Sequence, residues 1–408
     1  MKDDLKKPGE KHKKILIFGA GKIGRSFIGQ LFSLGGYEVV FIDTNKTLIN
    51  EINRRHNYNV VIKGDVETLI NVKNVSGIHL GDTTEILNEI AAADLMTVCV
   101  GAAGLNSVLS LIAQGLIRRD MLANSNPVDI IIAENLRNAA QYFETELRKL
   151  LPDAYPFESN VGLIETSIGK MVPIMHKKDT EVDLLQIFAE PYNTLILDRI
   201  AFKNPIPEIR GLAPKNNMKA WVDCKLFIHN LGHASSAYLG HLHNRNFIYI
   251  YEALSVSEIY NQVRETMIQS SRILLKKYPD DFTETFLIGH VDDLLFRFRN
   301  KALGDTIFRV GCDLFRKLGP EDRLAGCIKM ALELDMPYEK ILFALICACR
   351  FRATDEEGAL LPADYEFAGS FDGNIERVLA EVCYFDPVKE IKVFIEAREM
   401  ETAVAEFL

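Results

Sequence analysis

Residues 225–233, KLFIHNLGH, place an amine, an amide and an imidazole at short intervals along the chain. In a helix, at roughly 100° per residue, His233 lies about 80° and Asn230 about 140° around the axis from Lys225. One helix face is therefore predicted to present all three side chains. A carbon–oxygen bond that is oxidised or reduced needs a proton carrier and hydrogen-bond donors at its oxygen, and these groups supply both without a metal.

The same segment also fits a simpler interpretation. Asn230 and Gly232 are poor residues for a helix interior and good ones near a C-terminal end, so the pattern also suits the end of a helix. His233 is then an ordinary, partly buried side chain. The segment alone leaves both interpretations open.

The N-terminal region predicts a dinucleotide site. An apolar run at residues 14–18 precedes a helix-like segment at residues 25–32. Between them lies the expected cofactor-binding loop, formed by Gly19, Ala20, Gly21, Lys22, Ile23 and Gly24. Gly19 permits a tight turn, Gly21 leaves space for a pyrophosphate and Gly24 allows close packing, with the phosphates on the free N–H groups of the helix. The alternative is a glycine turn in a doubly wound domain that binds no dinucleotide.

An acidic residue follows the glycines at the expected interval. The second strand-like run, residues 38–42, ends at Asp43, where a carboxylate is expected to bind the ribose hydroxyls. Its charge would repel a 2′-phosphate, and the two residues after it carry no positive charge, so NAD is predicted rather than NADP. Three nearby cations weaken this preference: Lys46, Arg54 and Arg55.

Two further apolar runs, residues 95–100 and 128–133, suit buried parallel strands. The first ends at Gly101 and the second at Glu134 and Asn135. In open parallel sheets, ligands bind beyond the carboxyl ends of the strands, so Gly101 and Asn135 are expected beside the nicotinamide and the substrate. The alternative for Glu134 and Asn135 is the start of a helix.

The length of 408 residues predicts two domains. Strand-like and helix-like segments alternate in the first half, whereas long amphipathic stretches dominate from about residue 210. Prolines and a glycine cluster at this change. The sequence therefore predicts a disordered, solvated tail at residues 1–14, an α/β Rossmann-type doubly wound domain at residues 15–208, and a mostly α-helical substrate and catalytic domain at residues 209–408.

The composition argues against several classes of function. The 48% hydrophobic and 25% charged content is ordinary for a soluble globular protein, and the net charge of -9 argues against a nucleic-acid partner. Seven cysteines without a paired framework suit a reducing, cytoplasmic location. The N-terminal segment lacks the apolar core of a signal peptide, and no apolar run approaches the roughly 20 residues that span a bilayer, so no membrane partner is expected.

Four histidines invite comparison with a metal site. His229 and His233 are four residues apart, but no glutamate of the zinc-hydrolase type lies between them, and no cysteine or carboxylate stands at ligand spacing. The prediction is that no metal is bound. His229, His241 and His243 are expected to have surface or packing roles.

These motifs together resemble those of the polyol-specific long-chain dehydrogenases, the mannitol dehydrogenase family, and the resemblance runs nearly end to end. The Lys-x4-Asn-x2-His spacing of the family's phosphate-sugar enzymes is matched in full. The resembling segments are residues 19–29, 132–135, 225–234, 237–240, 297–300, 309–311 and 316–318. The first is similar to the family's cofactor loop and the last three to the substrate side of its helical domain.

The resemblance implies a metal-independent enzyme that moves a hydride between NAD and a sugar alcohol, with mannitol 1-phosphate and fructose 6-phosphate as the expected pair. It implies that Lys225 is the general base in oxidation and the acid in reduction, while Asn230 and His233 hold the substrate oxygen. A free lysine titrates near 10.4, so Lys225 needs burial or the nicotinamide's charge to be neutral at physiological pH. The expected substrate-binding residues are Asn135, Arg297, Asn300, Arg316 and Lys317, with Arg299, Arg309 and Arg323 as further candidate cations.

Some positions depart from the family pattern. Lys22 and Ser26 replace common residues of the cofactor loop, Gly169 and Lys170 stand where the family usually has an aspartate and an arginine, and Cys312 replaces an arginine or polar residue. The departures outside the loop affect the expected substrate more than the chemistry. Two alternatives stay open: a dehydrogenase of an unphosphorylated polyol or hexonate (mannitol, mannonate/fructuronate or altronate/tagaturonate type), and a non-catalytic dinucleotide-binding protein.

Overall fold

The computed structural model describes residues 13–124, 126–175 and 177–406. Most of the predicted tail at residues 1–14 lies outside the described residues. Lys14 does not belong to a tail, because it begins the first strand and its ammonium lies 3.0 Å from the Glu89 carboxylate. Contacts divide the chain into two compact units between Met218 and Lys219.

The first unit alternates strands and helices. Its described strands are β1 (Lys14–Phe18), β2 (Glu38–Asp43), β3 (Asn57–Ile62), β4 (Thr68–Lys73), β5 (Val75–His79), β6 (Leu95–Val98), β7 (Val128–Ile132), β8 (Val161–Ser167), β9 (Ile187–Ala189), β10 (Leu195–Asp198) and β11 (Leu212–Lys215). Its described helices are α1 (Gln30–Leu34), α2 (Lys46–Arg55), α3 (Thr83–Ala92), α4 (Leu105–Met121), α5 (Ala139–Leu150), α6 (Phe157–Asn160) and α7 (Lys177–Val182). A π-helical segment, Gly24–Gly29, leads directly into α1.

The main sheet has the strand order β11-β10-β8-β7-β6-β1-β2-β5. The strands from β5 to β8 in this order are parallel, β10 is antiparallel to β8, and β11 is parallel to β10. The strand order reverses between β1 and β6, which is the switch point where ligands bind in doubly wound sheets. This topology confirms the predicted Rossmann-type domain. Strands β4, β3 and β9 form a second, smaller sheet.

The central strands are apolar on both sides. In β1, Ile15 and Ile17 pack into one hydrophobic core, whereas Leu16 and Phe18 pack into the other, and none of the four side chains is exposed. A parallel sheet covered on both faces requires such continuous apolar runs, and this requirement makes its strands recognisable in the sequence.

Strand β11 accounts for the difference between the predicted domain boundary, after residue 208, and the observed division after Met218. Its residues pair with β10, so the chain stays in the sheet beyond the prolines that suggest a boundary. Pro214 lies in this edge strand, where the missing N–H of proline is tolerated.

From Met218 onward the described chain is mostly helical, as predicted. The helices are α8 (Met218–Cys224), α9 (Leu231–His243), α10 (Ile250–Ala253), α11 (Ser257–Lys277), α12 (Glu284–Phe298), α13 (Ile307–Gly311), α14 (Leu314–Lys317), α15 (Ala325–Glu333), α16 (Glu339–Cys349), α17 (Pro362–Phe371), α18 (Ile375–Glu381) and α19 (Ile391–Glu406). A second π-helical segment, Lys225–Asn230, joins α8 to α9 without a break. In the described parts of the chain, no helix combines the length and the apolar content that crossing a bilayer requires.

Candidate active site

Lys225, Asn230 and His233 lie on the continuous helix formed by α8, the second π segment and α9. Lys225 is the first residue of the π segment and Asn230 is the last. An i→i+5 turn is wider than an α-turn and brings residues five apart toward one face, whereas a regular α-helix leaves them about 140° apart. The structure therefore places Lys225 and Asn230 closer around the helix axis than the sequence predicts.

The helix does not end at Asn230 or Gly232, because α9 continues to His243. Gly232 has a packing role instead. A Cβ atom added there would lie 2.4 Å from the sulfur of Met267 on α11, so the Met267 side chain packs directly against the bare backbone of Gly232. The alternative interpretation of the segment as a helix end is wrong for this reason.

The ammonium of Lys225 lies in a desolvated environment. Burial, and secondly the nearby guanidinium of Arg323, lower the pKa of Lys225 to about 8. Arg323 is held beside it because its Nη1 donates to the Asn230 carbonyl at 3.4 Å and its Nε to Asp322 at 2.7 Å. A lysine with this pKa is neutral in a useful fraction of molecules near physiological pH, as a proton carrier requires.

His233 is held by two residues from beyond its own helix. Its ring stacks on Phe298 with a centroid distance of 4.6 Å, and its Nε2 lies 3.0 Å from Asp305 Oδ2, at ion-pair distance but without hydrogen-bond geometry. Burial, followed by the charge of Arg309, lowers the pKa of His233 well below its usual value. The imidazole is therefore neutral, so its contact with Asp305 is polar rather than a salt bridge. A neutral ring can still donate one hydrogen bond to a substrate oxygen.

Asp305 is a site residue that the sequence argument missed. Only 5% of its surface is exposed, and it also pairs with Arg309, four residues later. The i,i+4 spacing of Asp305 and Arg309 is the signal available in the sequence, but it does not reveal His233 as a third member.

His229 and His241 have packing roles. His229 is 6% exposed, and its ring lies 5.4 Å from that of Phe298 and 6.3 Å from that of His233. His241 is 5% exposed and accepts a hydrogen bond from the Arg352 amide at 3.1 Å. Among the described residues, no group of three or more histidine, cysteine or acidic side chains is placed to hold a metal ion.

Two predicted substrate-binding residues lie at the end of α12. Arg297 is in its last turn, 6% exposed, with its Nη1 3.5 Å from Asp293 Oδ2. The side chain of Asn300 accepts a hydrogen bond from the Ala302 amide at 3.0 Å and so caps a short 3₁₀ turn. Arg297 is therefore a buried cation paired with a half-exposed carboxylate, and Asn300 has a structural role in the turn.

The two cations of α14 differ in their surroundings. Arg316 is exposed and pairs with Asp313, while its Nη1 lies 3.6 Å from Asp322. Lys317 is 6% exposed and donates to the Val310 carbonyl at 2.7 Å, and burial lowers its pKa to about 8. The positive charges that act electrostatically on His233 belong to Arg309, Arg323, Lys317 and Arg297.

In the first unit, the glycine loop follows β1 at the switch point of the sheet. Gly19 has φ +101°, and a Cβ atom there would lie 2.5 Å from the Cys99 carbonyl oxygen. A Cβ atom at Gly24 would lie 2.0 Å from the Gly19 carbonyl oxygen, whereas at Gly21 it would meet no described atom within 4 Å. The turn, the close packing and the open space expected of the three glycines are thus all present.

Asp43 joins the end of β2 to the glycine loop. Its Oδ2 accepts a hydrogen bond from the Ala20 amide at 2.7 Å, and its Oδ1 accepts one from the Asn45 amide at 2.8 Å. Lys22, which is exposed, and Ile23 form the first turn of the helix after the loop. The predicted ribose-binding carboxylate therefore lies beside the predicted phosphate-binding loop.

Glu134 connects the carboxyl ends of β6 and β7. Its Oε1 accepts hydrogen bonds from the amides of Val100 at 2.6 Å and Gly101 at 2.9 Å, and burial raises its pKa. Asn135 is exposed beside it, and α5 begins only at Ala139. The structure thus contradicts the alternative of a helix start at Glu134 and brings Gly101 and Asn135 to the same edge of the sheet.

Arg25 is a buried residue whose side chain stabilises the glycine loop. It was not identified from the sequence. Its Nε donates to the Ala20 carbonyl at 2.7 Å and its Nη1 to the Leu185 carbonyl at 2.6 Å. Its own carbonyl accepts a hydrogen bond from the Tyr58 hydroxyl at 2.7 Å. An arginine within an otherwise apolar helix start is the signal that the sequence offers.

Lys170, one of the departures from the family pattern, has an internal role. It is 6% exposed, and its ammonium donates to the Tyr192 carbonyl at 2.8 Å, to the Glu190 carbonyl at 3.2 Å and to the Asn193 side chain at 3.0 Å. This lysine therefore stabilises the segment that leads into β10.

Comparison with known proteins gives a consistent result. Residues 13–211 match the mannitol dehydrogenase Rossmann domain, and residues 217–404 match the mannitol dehydrogenase C-terminal domain. Among solved structures, a D-sorbitol dehydrogenase in substrate-free form is similar, with a TM-score of 0.77 and 16% identity over 97% of this chain and 94% of that chain. Mannitol 2-dehydrogenase of Pseudomonas fluorescens, in a ternary complex with NAD and D-mannitol, has a TM-score of 0.71 and 14% identity over 96% and 95%. At these identities the similarity concerns the fold.

Proposed function

Because the chain belongs to the mannitol dehydrogenase family, we propose that it is an NAD-dependent, metal-independent polyol dehydrogenase that interconverts mannitol 1-phosphate and fructose 6-phosphate. The observation that carries this proposal is the position of Lys225 at the start of a π segment that ends at Asn230, where desolvation of its ammonium lowers its pKa to about 8. A desolvated ammonium with a cationic neighbour suits proton transfer near physiological pH. Lys317 has the same two features, but its ammonium donates to the Val310 carbonyl.

The first unit fits a dinucleotide. The open space over Gly21 and the helix that starts behind it provide a place for a pyrophosphate, and the Asp43 carboxylate stands next to it for the ribose. Arg54 and Arg55 lie at the far end of α2, about 13 Å along its axis from Lys46, and both pair with Glu51. This placement removes two of the three cations that weaken the preference for NAD.

The proposed mechanism assigns one task to each polar side chain. NAD, when bound, accepts the hydride that leaves the alcohol carbon. In oxidation the neutral Lys225 Nζ takes the hydroxyl proton, and in reduction the protonated Nζ returns it. Asn230 and the neutral ring of His233 donate hydrogen bonds to the substrate oxygen, on which negative charge develops.

A cluster of positive charge supports a phosphorylated substrate. The pKa of His233 is lowered by burial and then by Arg309, Arg323, Lys317 and Arg297, so these four cations lie within electrostatic reach of the imidazole. Guanidinium and ammonium groups bind phosphate by charge-assisted hydrogen bonds. A dianionic substrate would relieve their mutual repulsion, whereas a neutral polyol would not.

The ion pairs of the same region favour a second candidate, a dehydrogenase of an unphosphorylated polyol. Arg309 pairs with Asp305, and Arg297 lies 3.5 Å from Asp293, so two of these positive charges have a carboxylate beside them. The two similar solved structures are, by name, enzymes of unphosphorylated polyols. A hexonate would be an intermediate case, with one negative charge.

A substrate panel separates these candidates. The purified protein is assayed with mannitol 1-phosphate, mannitol and mannonate, each with NAD and with NADP, at the absorbance of the reduced nicotinamide. We expect the highest kcat/KM with mannitol 1-phosphate and NAD. A kcat/KM for mannitol equal to or above that for its phosphate would replace our proposal by the second candidate, and activity with none of the polyols would reject both.

Replacing Lys317 by methionine tests the charge cluster. We expect KM for mannitol 1-phosphate to rise by about tenfold, as for the loss of one charge-assisted hydrogen bond. Lys340→Met is the matched control, since Lys340 lies on α16 and pairs with Glu265. Equal effects of the two variants would argue against a phosphate contact at Lys317.

A further inference from the structure

The backbone hydrogen bonds at the end of the second π segment are shifted from those of an α-helix. In a regular α-helix the Leu231 amide would donate to the Phe227 carbonyl, four residues earlier. Here it donates instead to the carbonyls of Leu226 and Ile228. The Phe227 carbonyl is therefore bypassed by its ordinary donor, and a buried carbonyl needs another one.

A side chain of α11 supplies that donor. The hydroxyl of Ser270 donates to the Phe227 carbonyl oxygen at 2.5 Å, across 43 residues of sequence. Ser270 is completely buried, so no water competes for this bond. It lies one turn after Met267, the residue whose close packing against Gly232 brings α11 to this part of the helix.

A thiol completes the arrangement around Ser270. The Cys327 sulfur lies 3.2 Å from the Ser270 oxygen, and burial raises the pKa of Cys327 to about 12. The thiol therefore stays protonated. Because the single hydroxyl hydrogen of Ser270 is donated to the Phe227 carbonyl, the thiol is the group left to donate between these two atoms. The hydroxyl hydrogen of Ser270 then remains directed at the Phe227 carbonyl.

We propose that Ser270 is a positioning residue, whose hydroxyl replaces the missing backbone donor and so holds the π segment that aligns Lys225 with Asn230. The assignment rests on the proposed function of Lys225. Without this hydroxyl, the helix gains by returning the Leu231 amide to the Phe227 carbonyl, and Asn230 then turns away from Lys225. Displacements of about 1 Å in a catalytic group can reduce the rate about 100-fold.

The test compares three variants in the full-length protein with NAD. For Ser270→Ala we expect a kcat for polyol oxidation about 10-fold to 100-fold lower, as for a misplaced catalytic group, with the dissociation constant of NAD unchanged. Ser270→Thr keeps the hydroxyl and should retain more than half of the kcat. Ser271→Ala is the matched control, because Ser271 is also buried but its hydroxyl donates to the Ile268 carbonyl of its own helix.

The pH profile separates positioning from a loss of stability. In Ser270→Ala, Lys225 leaves its desolvated position, so the midpoint of the oxidation profile should move from near pH 8 toward the value of 10.5 for a free lysine. A variant that is only less stable would keep the midpoint. If Ser270→Ala does not fold, Ser270→Cys replaces it in the test, because cysteine keeps a small side chain but is a weak donor. In this variant we expect a smaller decrease in kcat and a smaller shift of the pH midpoint.

Two results would overturn the assignment: a folded Ser270→Ala with unchanged kcat and pH profile, or a Ser271→Ala as impaired as Ser270→Ala. If the unmodified protein oxidises no polyol, the proposed function fails instead. A crystal structure of Ser270→Ala then decides the structural claim alone: a regular α-helix at residues 225–231 supports it, and a retained π segment refutes it.

Discussion

The two π segments of this protein have similar hydrogen bonding but are proposed to have different functions. Gly24–Gly29 lies in the helix behind the glycine loop, and Lys225–Asn230 lies inside the helix of the second unit. In each, a buried hydroxyl from another element binds a carbonyl of the segment: Tyr58 binds that of Arg25, and Ser270 binds that of Phe227. Widened helical turns of this kind recur at functional sites.

The difference lies in what each segment presents. All six residues of the first segment are buried, and its position defines the backbone turn at which a dinucleotide is proposed to bind. The second segment has Lys225 and Asn230 partly exposed at its ends. The same local distortion of a helix thus lies beside the proposed cofactor loop in one unit and, in the other, carries side chains that are proposed to react. Changes in the first should affect cofactor affinity, and changes in the second should affect turnover.

The largest expected effect is that of Lys225→Ala. Because this variant removes the proton carrier, we expect kcat near neutral pH to fall about 1000-fold, with NAD affinity unchanged. The two quantities are measured by steady-state kinetics and by fluorescence titration with NAD. Lys219→Ala, on the same helix and paired with Asp223, is the control. A normal kcat in Lys225→Ala would rule out the mechanism, and a loss of NAD affinity would break the comparison.

A smaller effect is expected for Asp43→Ala, and it should appear in KM for NAD rather than in kcat. The loss of a charged hydrogen-bond partner should raise KM for NAD about 10-fold to 100-fold and reduce the discrimination against NADP, while kcat at saturating NAD changes little. Initial rates at varied NAD and NADP provide the measurement. Glu38→Gln, at the opposite end of β2, should leave both constants unchanged. An unaltered KM for NAD in Asp43→Ala would show that the carboxylate only braces the loop.

Tyr58→Phe isolates the hydroxyl that holds the first π segment. We expect a loss of about 1 kcal/mol in the free energy of unfolding and a rise of about fivefold in KM for NAD, the usual size for one buried hydrogen bond. The kcat should stay near that of the unmodified protein, which is the reverse of the pattern for Ser270→Ala. Denaturant unfolding and NAD kinetics test this, and a fall in kcat without a change in KM would contradict the division of roles.

The smallest effect concerns the cation beside Lys225. Replacing Arg323 by glutamine removes a positive charge that disfavours the protonated amine, so the pKa of Lys225 should rise and the oxidation profile should move to higher pH. The shift should be no more than about one unit, because burial is the larger cause of the lowered pKa. The shift is measured by following kcat as a function of pH in the Arg323→Gln variant and in the unmodified protein. A shift to lower pH would show that Arg323 does not act on Lys225 by charge repulsion.

The sequence predicts the first unit well because its signals are local. Apolar runs mark the strands, and the spacing of Gly19, Gly21 and Gly24 follows from steric demands within a single turn. The acidic residue Asp43 also follows the glycines at the interval that is typical of dinucleotide-binding domains. These features predict the strand ends and the glycine loop with little error.

The second unit is harder to predict because its site depends on partners that are distant in sequence. Ser270 lies 43 residues from Phe227, and Asp305 is still further from His233 along the chain. No residue preference marks an i→i+5 turn, so the sequence suggests an ordinary helix where the π segment lies. One of the long amphipathic stretches of the second half, residues 248–277, is likewise divided between two helices, α10 and α11.

The most direct test of the central claim is the pH dependence of kcat for the unmodified protein in both directions. If Lys225 carries the proton with a pKa near 8, kcat for alcohol oxidation should rise with pH in this region and kcat for ketone reduction should fall. Rates that stay constant in both directions from about pH 6 to about pH 10 would contradict the role of Lys225 as the general acid and base.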